Sequence, residues 1–132
     1  MTTYFDSSAL VKRYLVEAES AQAIALVNAH SPRVTSMITR IEVRRAIARI
    51  ASAVESSMTR EQFNRDLAQF EVASIDTDVC DRAAAIAEAS GMRTLDSLHL
   101  ATALVFGCSS FVSFDRRQSA VAEQLGMTVI GI

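Results

Sequence analysis

The stretch Thr94–Arg117, TLDSLHLATALVFGCSSFVSFDRR, decides how this chain is read. From Ser97 to Phe114 it carries no formal charge, and an aspartate stands at either end, Asp96 and Asp115. A run of that length could span a bilayer. Its serines, threonine and histidine are too polar for that, and Gly107-Cys108-Ser109-Ser110 reads as a turn in its middle. A buried helix over Leu95–Phe106, closed by Gly107, followed by a buried strand over Phe111–Phe114, accounts for the run. Asp96 then lies in the first turn of the helix and Asp115 at the carboxyl end of the strand.

Working outward, strand-like and helix-like segments alternate. Thr2–Phe5 is short and β-prone and is closed by Asp6; Ala9–Leu15 has helical spacing. A second amphipathic helix is expected over Ser20–Ala29, with Ile24 and Val27 inside, and Ser31-Pro32 ends it. Arg33–Met37 reads as a strand. Ile38–Val54 follows as the longest helical pattern, with Val43, Ile47, Ile50 and Val54 as its buried stripe and Glu42 on the flank. Thr59 and Gln62 suggest a capping box for a helix carrying Phe63, Leu67 and Phe70. Val72–Ile75 is a third strand, and Val79, Ala83 and Ile86 mark a helix that stops at Gly91. Beyond the opening stretch come a helix over Asp115–Leu125, stopped by Gly126, and a fifth possible strand over Thr128–Ile132. Such alternation implies βαβ units, hence an α/β fold with a parallel sheet covered on both faces.

The 132 residues suit one domain, half of them hydrophobic and a fifth charged. Cys80 and Cys108 stand far apart without CxxC spacing, which argues against a disulfide framework or zinc site and for a reducing cytoplasm. The N-terminus, MTTYFD, has neither a basic nor an apolar region of a signal peptide. A net charge of -2 is a poor match for bulk electrostatic gripping of nucleic acid. Even so, twelve of the thirteen basic residues are arginine, the side chain suited to bidentate phosphate contact; arginine-favouring codon usage explains that bias equally well.

In open parallel sheets ligands bind beyond the carboxyl ends of the strands. Asp6, Glu42 and Asp115 each follow a strand, and Asp96 opens a helix. Carboxylate oxygens are the ligands that magnesium and manganese prefer, and gathered acids repel one another unless a cation joins them. Metal-assisted phosphodiester hydrolysis is the chemistry such a set supports. Simpler roles compete with it. Asp6 and Asp115 can cap the helices that follow them, Asp115 with Gln118 three residues on; Asp96 can complement a helix dipole, and Glu42 can pair with Arg45 or Arg49. The apolar neighbours in Phe5-Asp6, Leu95-Asp96 and Phe114-Asp115 argue for something more, since buried charge is rarely kept without a partner.

Four blocks, FDSSALVKRYL from Phe5, TSMITRIEVRRA from Thr35, TLDSLHLATA from Thr94 and FVSFDRR from Phe111, are similar in order and spacing to those of the PIN-domain family, in particular the small VapC-like toxin ribonucleases. The resemblance covers essentially the whole chain. It implies a single PIN-like domain over residues 1–132, a three-layer sandwich with a central parallel sheet of four to five short strands flanked by helices. Carried over residue by residue, it places metal-binding and catalytic acids at Asp6, Glu42, Asp96 and Asp115, with Ser8 and Ser113 as supporting hydroxyls. It further implies Mg2+-dependent endoribonuclease activity, with Mn2+ as a substitute, on structured RNA such as tRNA or rRNA. A cognate antitoxin, a homodimer and a cytoplasmic location with no membrane attachment go with it. One divalent ion would bring the formal -2 to 0, and two would bring it to +2. Arg40, Arg44, Arg45, Arg116 and Arg117 are then the candidates for contact with RNA phosphates or with an acidic antitoxin tail.

His99 shares a helix face with Asp96, but an ordinary half-buried histidine is expected there rather than a general acid, and His30 is expected at a helix end on the surface. Asp76, Asp78 and Asp81 lack the glycine and distal glutamate of a calcium loop and read as capping residues. The alternative to a nuclease is a non-catalytic nucleic-acid-binding or regulatory α/β domain. One version uses Ile38–Val54 as a DNA recognition helix; another is a receiver-like phosphoacceptor, for which Lys12 is the only lysine on offer.

Overall fold

In the computed structural model, which describes residues 1–131, five strands form one parallel sheet. They are β1 (Thr3–Phe5), β2 (Arg33–Ser36), β3 (Glu71–Ala73), β4 (Ser110–Ser113) and β5 (Thr128–Gly131), in the order β3-β2-β1-β4-β5. The expected end of the last strand, Ile132, lies outside the described residues. Between them run α1 (Ser7–Tyr14), α2 (Ser20–Ala29), α3 (Met37–Ile47), α4 (Ala53–Leu67), α5 (Thr77–Ser90), α6 (Thr94–Val105) and α7 (Arg116–Gln124).

Alternation along each strand builds a core on each face of the sheet. Tyr4 and Phe111 face one way, with Val79, Ile86 and Leu100 of α5 and α6. Phe5 and Val112 face the other, with Leu10, Val43, Ile47, Phe63 and Leu67 of α1, α3 and α4. This is the expected three-layer arrangement. Each such side chain, fully buried, contributes roughly 1.5–3 kcal/mol of transfer free energy. The opening stretch folds as read: α6 ends in a Schellman turn in which Gly107 (φ 66°) and Cys108 donate to the carbonyls of Leu104 (3.1 Å) and Ala103 (2.9 Å), and β4 follows.

Three local expectations need correction. The helix read as Ile38–Val54 is two helices, because Ser52 caps a new one: its Oγ accepts from the Glu55 N–H at 3.2 Å, while Ser56 Oγ donates to the Ile47 carbonyl at 3.1 Å. The apolar period runs on across the break, so periodicity alone hid it, and Val54 is 69% exposed. Thr59 consequently lies inside α4 rather than at its start. Ile24 of α2 is exposed while Val27 is buried. The break also removes the long recognition helix on which the DNA-binding alternative rested.

The strand order places the functional edge. From β1 the chain moves outward through β2 to β3, then returns to lay β4 on the other side of β1 and continues to β5. The β1/β4 boundary is therefore a topological switch point, where helices leave in opposite directions and a crevice opens beyond the carboxyl ends. Asp6 and Asp115 stand just past those two strand ends.

Candidate active site

Asp6 leaves β1 with its backbone N–H on the Val112 carbonyl (3.0 Å), which locks it to β4. Its Oδ2 accepts from the Ser8 N–H at 3.1 Å and caps α1; its Oδ1 faces the Nε2 atoms of His99 (3.5 Å) and Gln118 (3.3 Å). Capping and site roles are thus divided between the two oxygens. Asp115 caps α7, where Oδ1 accepts from the Gln118 N–H at 3.0 Å. Asp96 sits in the first turn of α6, approached at 3.5 Å by the exposed Arg93. Glu42, on α3, turns toward His99 Nε2 at 2.6 Å rather than toward an arginine of its own helix.

These four acids border one cleft of about 610 Å³, together with Ser7, Ser8, Val11, Lys12, Ile41, Arg45, Arg49 and Leu95. Two of them, Asp96 and Glu42, are shifted in acidity. Burial, and then the charges of Asp6 and Asp115, raise the Asp96 carboxyl above the usual range against the pull of Arg93. Burial would do the same to Glu42, but the bond and charge of His99 and the Ser7 hydroxyl outweigh it and lower its pKa. His99 is 1% exposed and held at both ring nitrogens, by Glu42 and by the Tyr4 phenol at 2.6 Å. Burial alone would lower its pKa; Asp6, Glu42 and Asp96 reverse that and raise it. His99 is therefore not the ordinary half-buried residue expected, but a buried imidazole that lies between Glu42 and Asp6.

Ser8 and Ser113 both accept main-chain N–H groups at the end of β4. Ser8 Oγ accepts from the Phe114 N–H at 3.2 Å, tying α1 to the end of β4, and Ser113 Oγ accepts from the Asp115 N–H at 3.0 Å. Of the candidate arginines, Arg45 lines the cleft, and with Arg40, Arg44 and Arg60 it lines an adjoining groove of about 430 Å³. Arg116 and Arg117 do not line the cleft; Arg117 reaches away to the Gly91 carbonyl at 3.2 Å. Arg49 and Gln118 are additions. The spacing of Gln118 to Asp115 was visible as a cap, but its approach to Asp6 was not.

The donor set fits a hard divalent cation in kind, since it is all carboxylate oxygen with negative charge in excess. Among the described residues, however, no three His, Cys, Asp or Glu side chains are already drawn together tightly enough to hold one. Asp6 and Glu42 turn to His99, Asp96 to Arg93 and Asp115 to the Gln118 N–H.

The PIN domain family model matches residues 3–124. Ribonuclease VapC46 of Mycobacterium tuberculosis is 35% identical over 129 residues, covering 96% of this chain and 95% of that protein. Among solved structures, FitAcB from Neisseria gonorrhoeae superposes with a TM-score of 0.79 at 17% identity, covering 98% of this chain and 96% of that one. A toxin-antitoxin complex from Klebsiella pneumoniae gives 0.74 at 21%, with the same coverage. At those identities the two structures speak for the fold alone, but the family match and the near full-length relative go further, and this chain belongs to the PIN-domain family, in its VapC group.

Proposed function

We propose that residues 1–132 act as one PIN-like domain that hydrolyses RNA phosphodiester bonds, as the toxin of a toxin-antitoxin pair. The observation that carries this reading is the meeting of Asp6, Glu42, Asp96 and Asp115 on one cleft at the switch point of the sheet. PIN-domain nucleases are generally dependent on a divalent metal. Here the four acids would hold Mg2+, with Mn2+ as a substitute. When bound, the ion supplies Lewis acidity at a phosphoryl oxygen and a bound water of lowered pKa.

The rest of the work falls to the chain itself. Arg45 and Arg49 on the cleft wall bind the phosphates of the incoming strand, and Leu95, 46% exposed at the rim, offers an apolar face to a base. His99, with Nε2 2.6 Å from Glu42 and 3.5 Å from Asp6, holds both carboxylates in place. Structured RNA such as tRNA or rRNA is the substrate class, and such a substrate places the activity in the cytoplasm. No helix among the described residues is long and apolar enough to cross a membrane.

The groove of Arg40, Arg44, Arg45 and Arg60, with Ile41 67% exposed on its floor, suits the cognate antitoxin, whose acidic and apolar side chains would meet both kinds of surface. The toxin itself is a homodimer in this reading. The test is cleavage of total RNA with Mg2+ and with EDTA, by wild type and by Asp6→Asn, with 5′ ends sequenced. Mg2+-dependent cuts absent from the variant are expected. Equal cutting by both proteins, or by wild type in EDTA, would remove the basis for the reading.

A further inference from the structure

Gln118 lies in the first turn of α7 with none of its surface exposed. Its side chain joins elements far apart in sequence. Ser113 Oγ already accepts from the Asp115 N–H (3.0 Å), so its one proton goes to Gln118 Oε1 at 2.8 Å. That orients the amide. The NH2 end then faces Asp6 Oδ1 at 3.3 Å and the Asp96 main-chain carbonyl at 3.4 Å, two acceptors that carry no hydrogen. The flipped amide would set oxygen against oxygen at both of these contacts, so hydrogen-bond logic selects one orientation.

Resting on the nuclease reading above, we propose that Gln118 is a positioning residue for the acid cage. Its carboxamide, aimed by Ser113, holds the Asp6 carboxylate against the start of α6 and so sets the spacing of Asp6, Asp96 and Asp115 before a cation arrives. Being uncharged, it does this without cancelling the negative potential that the cation needs. An arginine or lysine there would neutralise the cage, and a glutamate would repel Asp6. Partners of this kind around ligating carboxylates are worth about 10–100-fold in metal affinity.

The test uses the full chain and Mn2+ as the probe, with binding measured by calorimetry on metal-stripped protein and folding by circular dichroism. Gln118→Met keeps the length of the side chain and removes the amide; Ser113→Ala removes only its orienting hydroxyl, and Ser113→Thr keeps it. We expect Gln118→Met to weaken Mn2+ by about 10–100-fold, with Ser113→Ala weakened in the same direction and Ser113→Thr restored toward wild type. A folded Gln118→Met that binds Mn2+ within about twofold of wild type overturns the proposal and leaves the nuclease reading intact. If Gln118→Met fails to fold, the serine pair decides: equal Mn2+ affinity in the alanine and threonine variants overturns it. Wild type that binds no Mn2+ overturns both readings.

Discussion

Two carboxylate networks at opposite ends of the sheet show how a structural acid differs from a site acid. At the amino ends of the strands, Asp66 near the end of α4 accepts from Arg13 Nε (3.2 Å), Tyr14 Oη (2.5 Å) and Gln62 Nε2 (2.7 Å). Burial and then the bond to Asp66 push the Tyr14 phenol well up, so it stays a donor. One negative charge is met there by one cation and two neutral donors. At the carboxyl ends, Glu42 and Asp6 meet the His99 imidazole, Asp6 the Gln118 amide and Asp96 the exposed Arg93, while Asp115 takes the Gln118 N–H. Asp66 has a donor on each of its oxygens, though Arg13 Nη1 stays buried without a partner among the described residues; the second network gathers four carboxylates on one cleft, where a metal or a substrate can answer them.

The largest expected effect separates the networks by activity. Asp6→Asn should lower RNA cleavage by more than about 10²-fold, the scale of losing an electrostatic stabiliser of the transition state, while its circular dichroism stays that of wild type. Asp66→Asn should leave the specific activity of folded protein unchanged. Metal addition separates them next. At about 100 times its dissociation constant, Mg2+ should stabilise wild type by about 2.7 kcal/mol in urea unfolding. That gain should disappear in Asp6→Asn and persist in Asp66→Asn.

Stability without metal should then run the other way. Asp66→Ala leaves Arg13 and Tyr14 unpaired and should cost about 1–3 kcal/mol. Asp96→Asn should instead raise the metal-free unfolding midpoint. The Asp96 carboxyl is raised in the folded state, chiefly by burial and then by Asp6 and Asp115, so its ionisation at neutral pH opposes folding. After solvent screening the gain should be well under about 1 kcal/mol. Loss of stability on this substitution would break the contrast between the two networks.

The smallest effect is in pH dependence. The His99 pKa is raised above its ordinary 6.5, so its stabilising charge is fully present below that pH and is lost as pH rises through the folded value. Metal-free wild type should therefore lose stability over that window, and His99→Gln should flatten the slope. An unchanged slope would remove His99 as the source of that pH dependence.

Much of the site was legible because its elements announce themselves locally. Asp6 and Asp115 follow short apolar strands and cap helices, and Asp96 opens a helix that ends in glycine; each is a pattern within a few residues. The break between α3 and α4 was missed because Val43, Ile47, Ile50 and Val54 keep a helical period across it, although Ser52 and Glu55 stand at capping-box spacing there. His99 was undervalued for a different reason. Its partners, Tyr4 and Glu42, lie 95 and 57 residues away, and a helix face does not say what will be packed against it.

The sequence by itself determined the α/β alternation, the positions of the four acids and the helix starts that hold three of them, because hydrophobic period and capping are short-range effects of backbone geometry. Only the tertiary structure decided how the two oxygens of Asp6 are divided, that Arg45 lies beside the acids while Arg117 turns away to Gly91, and that His99 and Gln118 reach Asp6. Those choices depend on contacts across the β1/β4 switch point. Such contacts are set by strand order and side-chain packing, and neither is written in any local stretch of the chain.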